Sequence, residues 1–306
     1  MFSPITLDAL RTLDAIDRRR SFAAAADELF RVPSAISYTI NKLEADLGVT
    51  LFDRSRRKAE LTPIGRLMLE QGRQILMATE ELTALVKQTA DGWELELRIG
   101  VDTVLDCGPI YALIDAFQAL QPRTEVRLIE EVLGGSWDAL NAERCDIVIG
   151  AEGEPPSQGF GIHALGQVVF EFAVAANHPL AALPQPLPLS AIQHHPTIIV
   201  ADSSRDLPVR SAGLLDGRSR IVVPSMEHKI AAQCRGLGVG YLPRHRIERE
   251  LNDGRLRLIQ LEESRPPQSI SVAWRNTNKG KGLAWFVSRL QGMVFDSNKG
   301  LSLPSV

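Results

Sequence analysis

From Leu7 to about Ala90 the apolar residues recur at helical spacing, and from Glu94 onward the rhythm changes to short apolar runs alternating with helical stretches. A chain with such a break is not built around one core, and 306 residues is about twice the length of a typical domain. Two or three compact units are therefore expected.

Leu7, Leu10, Leu13 and Ile16 mark one face of a first helix, with Thr6 as N-cap, Asp8 in the first turn and a stop near Arg18, Arg19 and Arg20. Ser21 caps a second helix of only two turns, SFAAAADEL, whose alanines let a neighbour approach closely. A third begins with Pro33 in its first turn, where the missing N–H is harmless, and runs to Leu47 before Gly48. Its buried stripe is Ile36, Ile40, Leu43 and Leu47. Ser34, Ser37, Tyr38, Asn41 and Lys42 are left on the opposite face, all able to hydrogen-bond. Two short helices joined by a tight turn, the second polar at its N-terminal end, form the helix-turn-helix that carries side chains to base edges. A three-helix bundle with a solvated face has the same pattern, and periodicity alone does not separate the two.

Beyond Gly48, VTLFDRSRRKAELT reads as two short strands around the basic tip Arg56, Arg57 and Lys58, the shape of a wing. Thr62 and Pro63 open a long helix that ends before Gly92. Met68, Ile75 and Leu82 recur every seven residues, and Leu85 follows Leu82 by three. Such a narrow seam suits pairing with another helix, as in a dimer, although it also suits a helix lying on its own domain. Charge divides along the same line. Up to Arg66 there are eleven basic and nine acidic residues, beyond it 23 and 28, so the N-terminal piece is the one suited to a polyanion.

In the remainder, ELELRIGV, TEVRLIEEV and CDIVIGA are strands separated by helices over Pro109 to Leu120 and Ser136 to Ala142. VVFEFAVAA, PTIIVAD, RIVVP, VGYLP and ISVAWR follow as strands, with helices over about Met226 to Arg235, Pro243 to Leu251 and Gly282 to Val294. Alternation of this kind implies a parallel or mixed sheet with helical crossovers. SNKGLSLPSV is expected to be a loose tail.

In SFAAAADEL, ISYTINKLEADLGVTLFDRS and LTPIGRLML the chain resembles the LysR-type transcriptional regulators. The resemblance implies a multi-domain protein: an all-α winged helix-turn-helix over 1–62, a linker and dimerisation helix over 63–92, and an effector-binding domain over 93–306. That last domain would consist of two α/β lobes like those of periplasmic binding proteins, lobe 1 over about 93–165 and 267–294 and lobe 2 over about 166–266. Carried over by position, the groove-contacting residues are Pro33, Ser34, Ser37 and Tyr38, with Arg54 on the wing. The family commonly has glutamine where Pro33 stands and arginine where Tyr38 stands, which removes a bidentate reader of guanine. Ser21, Arg54, Arg56 and Arg57 are expected on phosphates. The effector is expected beyond the C-terminal ends of strands, at Thr103, Val104, Gly150, Ala151, Ser203, Ser204, Arg205, Ser225 and Met226. Any of these hydroxyls could equally be a helix cap. Arg205 would receive a small carboxylate, or it would simply pair with Asp206 at the surface. The implied partners are an operator duplex, a small-molecule effector and further copies of the chain as a dimer and then a tetramer. RNA polymerase is a further partner that this reading allows.

Composition argues against other classes. With 44% hydrophobic and 23% charged residues the chain is neither disordered nor a disulfide scaffold. No apolar run reaches the roughly 18 residues of a membrane helix and no basic stretch precedes a signal core, so a cytoplasmic location is expected. An enzyme is disfavoured because G-x-S-x-G, G-x-x-x-x-G-K-[ST] and H-E-x-x-H are all missing. GLGVG at Gly236 to Gly240 leaves a helix and enters a strand, the reverse of a dinucleotide fingerprint. The adjacent His194 and His195 point apart, so neither metal nor cofactor is expected. A redox switch is the rival within the regulator class. It would need two of Cys107, Cys145 and Cys234 to meet, ideally with one low pKa, and only Cys234 lies in the second lobe.

Overall fold

The computed structural model describes residues 3–53, 59–210 and 219–302, and the chain falls into two compact units, Met1–Ala90 and Asp91–Val306. The first contains α1 (Leu7–Arg19), α2 (Phe22–Glu28), α3 (Pro33–Leu47), the antiparallel pair β1 (Phe52–Asp53) and β2 (Glu60–Leu61), and α4 (Pro63–Ala90). The capping signals hold: Thr6 Oγ1 accepts from the N–H of Ala9 at 3.1 Å and Ser21 Oγ from that of Ala24 at 3.3 Å, while Thr62 Oγ1 takes the N–H of Gly65 at 3.0 Å. Gly48 ends α3 at φ +66, a conformation in which a Cβ is disfavoured. Ile36, Ile40 and Leu43 of α3 join Leu13, Ile16, Ala25, Ala26, Leu51 and Phe52 in one buried cluster. The first turns of α4 lie across α1, where a Cβ on Gly72 would come within 2.8 Å of Leu10 Cδ2. Arg73 of α4 fixes the crossing from outside, its Nε 2.8 Å from Asp14 Oδ1 and its Nη2 3.1 Å from Asp17 Oδ2.

The second unit is built on two main sheets, with two further strand pairs beside them. β3 (Glu96–Asp102), α5 (Gly108–Leu120), β4 (Glu125–Glu131), α6 (Gly135–Asn141), β5 (Ile147–Glu152) and β6 (Phe160–Val168) come first in the chain. After Val169 the chain leaves this sheet for β7 (Phe170–Ala175), α7 (Leu189–Ile192), β8 (Thr197–Val200), β9 (Arg220–Val223), α8 (Met226–Cys234), β10 (Gly240–Pro243), α9 (Glu248–Asn252) and β11 (Leu256–Leu258). It returns with β12 (Gln268–Arg275), α10 (Lys281–Gln291), β13 (Val294–Asp296) and β14 (Gly300–Ser302). The first lobe's sheet has the order β4-β3-β5-β12-β6, with β3 parallel to β4 and β5 and the returning β12 antiparallel to both its neighbours. The second lobe has β7 between β10 and β11, all antiparallel, and a parallel β8–β9 pair joined to β10 through Ile198 N–H and Val239 O at 3.0 Å.

The central strand β5 is buried along its whole length because helices cover both faces of the sheet, which explains its unbroken apolar run. Trp137 of α6 is fully buried beneath it, stacked edge-on to Phe160 at 5.6 Å, and its indole N–H donates to Glu152 O at 2.9 Å.

Three local expectations need correction. VVFEFAVAA contains the single strand β7, but the nine-residue strand before it, β6, is not among the strands expected from sequence, and the chain changes sheets between them at Val169. The helix expected over Pro243 to Leu251 is a 3-10 turn over Arg244–Arg246 followed by the single turn of α9. Nor is the C-terminal stretch loose through Ser302. It forms the β13–β14 hairpin, anchored by buried Phe295 and Leu301.

Candidate functional site

The face of α3 opposite its buried stripe is open: Pro33, Ser34, Tyr38, Asn41 and Lys42 are exposed and Ser37 is half-buried. Ser21 stands at the N-terminus of α2 with its oxygen on the Ala24 N–H, so its own proton remains available to a phosphate. Arg54, Arg56 and Arg57 lie outside the described residues.

On α4 the expected seam is divided. Met68 packs partly against the core of its own unit. Ile75 and Leu82 are exposed at 46% and 61%, and Leu85 is half-buried. They continue a stripe that includes exposed Ile64, Leu67 and Val86, and beside its start Ile5, Leu10, Leu47 and Val49 line an apolar groove.

In the second unit a narrow cavity of about 40 Å³ lies between the two sheets. Its walls include Asp102, Thr103, Val104, Val132 and Glu152 from one lobe and Val200, Met226 and Lys229 from the other, with Arg265 from the returning segment. Of the expected effector residues only Thr103, Val104 and Met226 line it. Thr103 Oγ1 accepts from the Met226 N–H at the start of α8, at 3.3 Å. Ser225 instead caps α8 and meets His228 Nδ1 at 2.9 Å. Gly150, at φ +92, faces the side chains of Asp102 and Leu105, and Ala151 is buried in the cluster around Trp137.

Ser203 and Ser204 are occupied otherwise. Ser203 Oγ donates to Glu131 and accepts from the Val132 N–H at 2.9 Å, while Ser204 Oγ donates to Asp202 Oδ1 at 2.7 Å. Their loop crosses from lobe 2 to lobe 1 and is held there by Asp138, whose Oδ1 accepts from the N–H groups of Asp206 and Leu207 at 2.9 and 2.6 Å. Arg205 is exposed and has no place in the cavity. A second grip comes from the 3-10 turn, where Arg246 Nη1 donates to Thr103 O at 2.8 Å and to Leu105 O, and His245 Nε2 lies 3.0 Å from Val104 O.

The charged groups of the cavity were not anticipated. Burial pushes the Asp102 carboxyl well above its ordinary value, although it accepts from the N–H groups of Val104 and Leu133 at 2.8 and 2.9 Å. Burial raises Glu152 to about 7 against the pull of Arg265 and Arg210, and Gln268 donates to its side chain. Lys229 is held down to about 7 by burial and then by the charge of Arg265. Arg265 itself lies 3.9 Å over the Phe170 ring. In sequence Lys229 is marked only by its spacing, three after Met226 and four before Gln233, which puts it on one helix face with them.

Residues 7–66 match the model of the bacterial regulatory helix-turn-helix protein, lysR family, and residues 90–294 match that of the LysR substrate binding domain. The chain belongs to the LysR family. Among curated LysR-type relatives it is 40% identical to the probable HTH-type transcriptional regulator YhaJ of Escherichia coli K12, over 92% of this chain and 94% of that one. It is 39% identical to the uncharacterized regulator YeeY of the same organism, over 92% and 91%. Two solved structures share its fold at 22% identity: the Corynebacterium glutamicum OxyR C206 mutant, with a TM-score of 0.58 over 95% of this chain and 93% of that one, and CbnR, a LysR family transcriptional regulator, with 0.51 over 94% and 100%. As a LysR-family member the chain is a transcriptional regulator with an effector-binding domain, not an enzyme. Its thiols do not favour a redox switch within that family. All three are free, and burial raises each, Cys145 to about 12.

Proposed function

We propose that the chain acts as a homodimer, assembling further to a tetramer, and that a small molecule held between its lobes controls its hold on an operator. The proposed organisation is a DNA-binding domain over 1–62, a linker helix over 63–92 and an effector domain over 93–306, with a cytoplasmic location, where chromosomal DNA would be its partner. Pro33, Ser34, Ser37, Tyr38, Asn41 and Lys42 would face the major groove, and Ser21, Arg54, Arg56 and Arg57 the phosphates. Dimerisation would cover the stripe through Ile75, Leu82 and Leu85, which leaves large apolar side chains exposed in a single chain.

The observation that carries effector control is that Thr103 and Val104 of one lobe share a cavity with Met226 and Lys229 of the other. A molecule touching both lobes has a different affinity for each of their arrangements, and that difference shifts the balance between them. Genomic binding-site mapping would supply the operator for a reporter strain screened over growth substrates. Thr103→Val should keep operator occupancy and lose the substrate-dependent response. An undiminished response in that variant would place the effector elsewhere.

A further inference from the structure

Of the four charged side chains in the interlobe cavity, three have their partners in the protein. Asp102 accepts two backbone N–H groups, Glu152 accepts from Gln268 and faces the cations of Arg265 and Arg210, and Arg265 donates to Gln268 Oε1 at 2.7 Å while lying on Phe170. Lys229 has none. Its residue is 8% exposed, and among the described residues its Nζ has no hydrogen bond or ion pair. The side chain leaves the buried face of α8, passes Gly240, where a Cβ would lie 3.5 Å from Nζ, and lines the cavity. An amine on a largely buried side chain, its nitrogen open to the cavity and without a protein acceptor, is placed to take one from outside the chain. Across the cavity Thr103 Oγ1 has accepted the Met226 N–H and its proton is still to be donated.

We propose that the cavity takes a small carboxylate, one oxygen on Lys229 Nζ and the other on the Thr103 hydroxyl, in front of the N-terminus of α8. This rests on the reading that the cleft is the effector site, and it names the effector's chemistry and moves its receiver from Arg205 to Lys229. The low value of the Lys229 amine supports it: a carboxylate bound there restores the ammonium, so binding takes up a proton near neutral pH. The groups facing Lys229 across the cavity are Asp102, Glu152 and Arg265, and the strands on which α8 packs contribute Glu171, Arg220 and Tyr241.

Three fragments of matched size separate the possibilities: sodium acetate, acetamide and ethylammonium chloride, added at fixed ionic strength while thermal unfolding of the full chain is followed. Acetate should raise the Tm of the wild type at pH 7 by about 2–4 °C at roughly five times its dissociation constant, and the other two should not. In Lys229→Met the acetate concentration needed for a given shift should rise at least tenfold. In the wild type the shift should grow as pH falls from 8 to 6, a readout that does not depend on the variant folding. An equal shift with acetamide, a full acetate shift in Lys229→Met, or no growth at lower pH would overturn the carboxylate. If Thr103→Val still abolished the fragment shift in those cases, the cleft would remain the effector site. Were none of the three fragments to move the wild type, both readings would fall.

Discussion

The carboxylate of Asp138, on α6 of the first lobe, holds the consecutive N–H groups of Asp206 and Leu207, which belong to the loop after β8 in the second lobe, at 2.9 and 2.6 Å. The same carboxylate receives Arg144 Nη2 at 2.7 Å, and Arg144 in turn reaches Glu131 at 2.8 Å. Burial would push Asp138 up, but the N–H groups of Leu207 and Asp206, then Arg144, outweigh it and bring the carboxyl to about 2. Its stabilisation is therefore complete above the ordinary carboxyl value and is lost as pH falls from about 4 towards 2.

Asp138→Asn should accordingly lower stability by about 2–3 kcal/mol at neutral pH, because a neutral amide holds two N–H groups and a guanidinium less well and leaves Arg144 short of a counter-charge. Urea unfolding at pH 7 and pH 3 tests it. The gap between variant and wild type should be narrower at pH 3, and an equal gap would remove the carboxylate's charge from the account.

Lys229→Met should unfold at a higher temperature than the wild type at pH 7. An amine brought from about 10.5 down to about 7 is held better by the unfolded chain whenever it is protonated there. Wild-type stability therefore rises between pH 7 and pH 10.5, and the advantage of methionine should shrink over the same interval. Calorimetry at pH 7 and 9.5 measures it. A constant difference would mean that the amine does not titrate in that window.

Ile75→Asp and Leu82→Asp should each dissociate dimers without harming the single chain, since both side chains are largely exposed in it. Sedimentation velocity should show a smaller species at an unchanged unfolding temperature. Unaltered assembly size in both variants would reject the stripe as the dimer surface.

Arg54→Ala should weaken binding to every duplex and flatten the salt dependence by about one unit of slope, as one lost phosphate contact does. Ser37→Ala and Tyr38→Ala should instead change which sequences are selected from a random pool. A selected motif identical to the wild type's in both variants would take them out of base reading.

The first unit was legible because its instructions are local. Thr6, Ser21, Thr62 and Gly48 act within three or four residues of themselves, and the stripe on α3 is a period that can be counted. The cavity was legible only where a strand end announced it, at Thr103, or a helix start, at Met226. Its charged members come from four separate stretches, and nothing near Lys229, Glu152 or Arg265 in sequence says that they meet. Ser203 misled for the opposite reason. Its position after a strand is that of a ligand donor, but its partner, Glu131, is 72 residues away and already in place.

The loop bound by Asp138, with Asp202 accepting from the Gly134 N–H at 3.2 Å, ties the lobes together beside a cavity with room for only a few waters. An effector larger than a small fragment would need the lobes to part, and these bonds to open with them. Its observed association rate should then climb with concentration only to a plateau, and that plateau is the opening frequency of the strap. The speed of the transcriptional response would have a ceiling that no excess of effector can raise, set by the protein and adjustable at Asp138 without touching the ligand's own contacts.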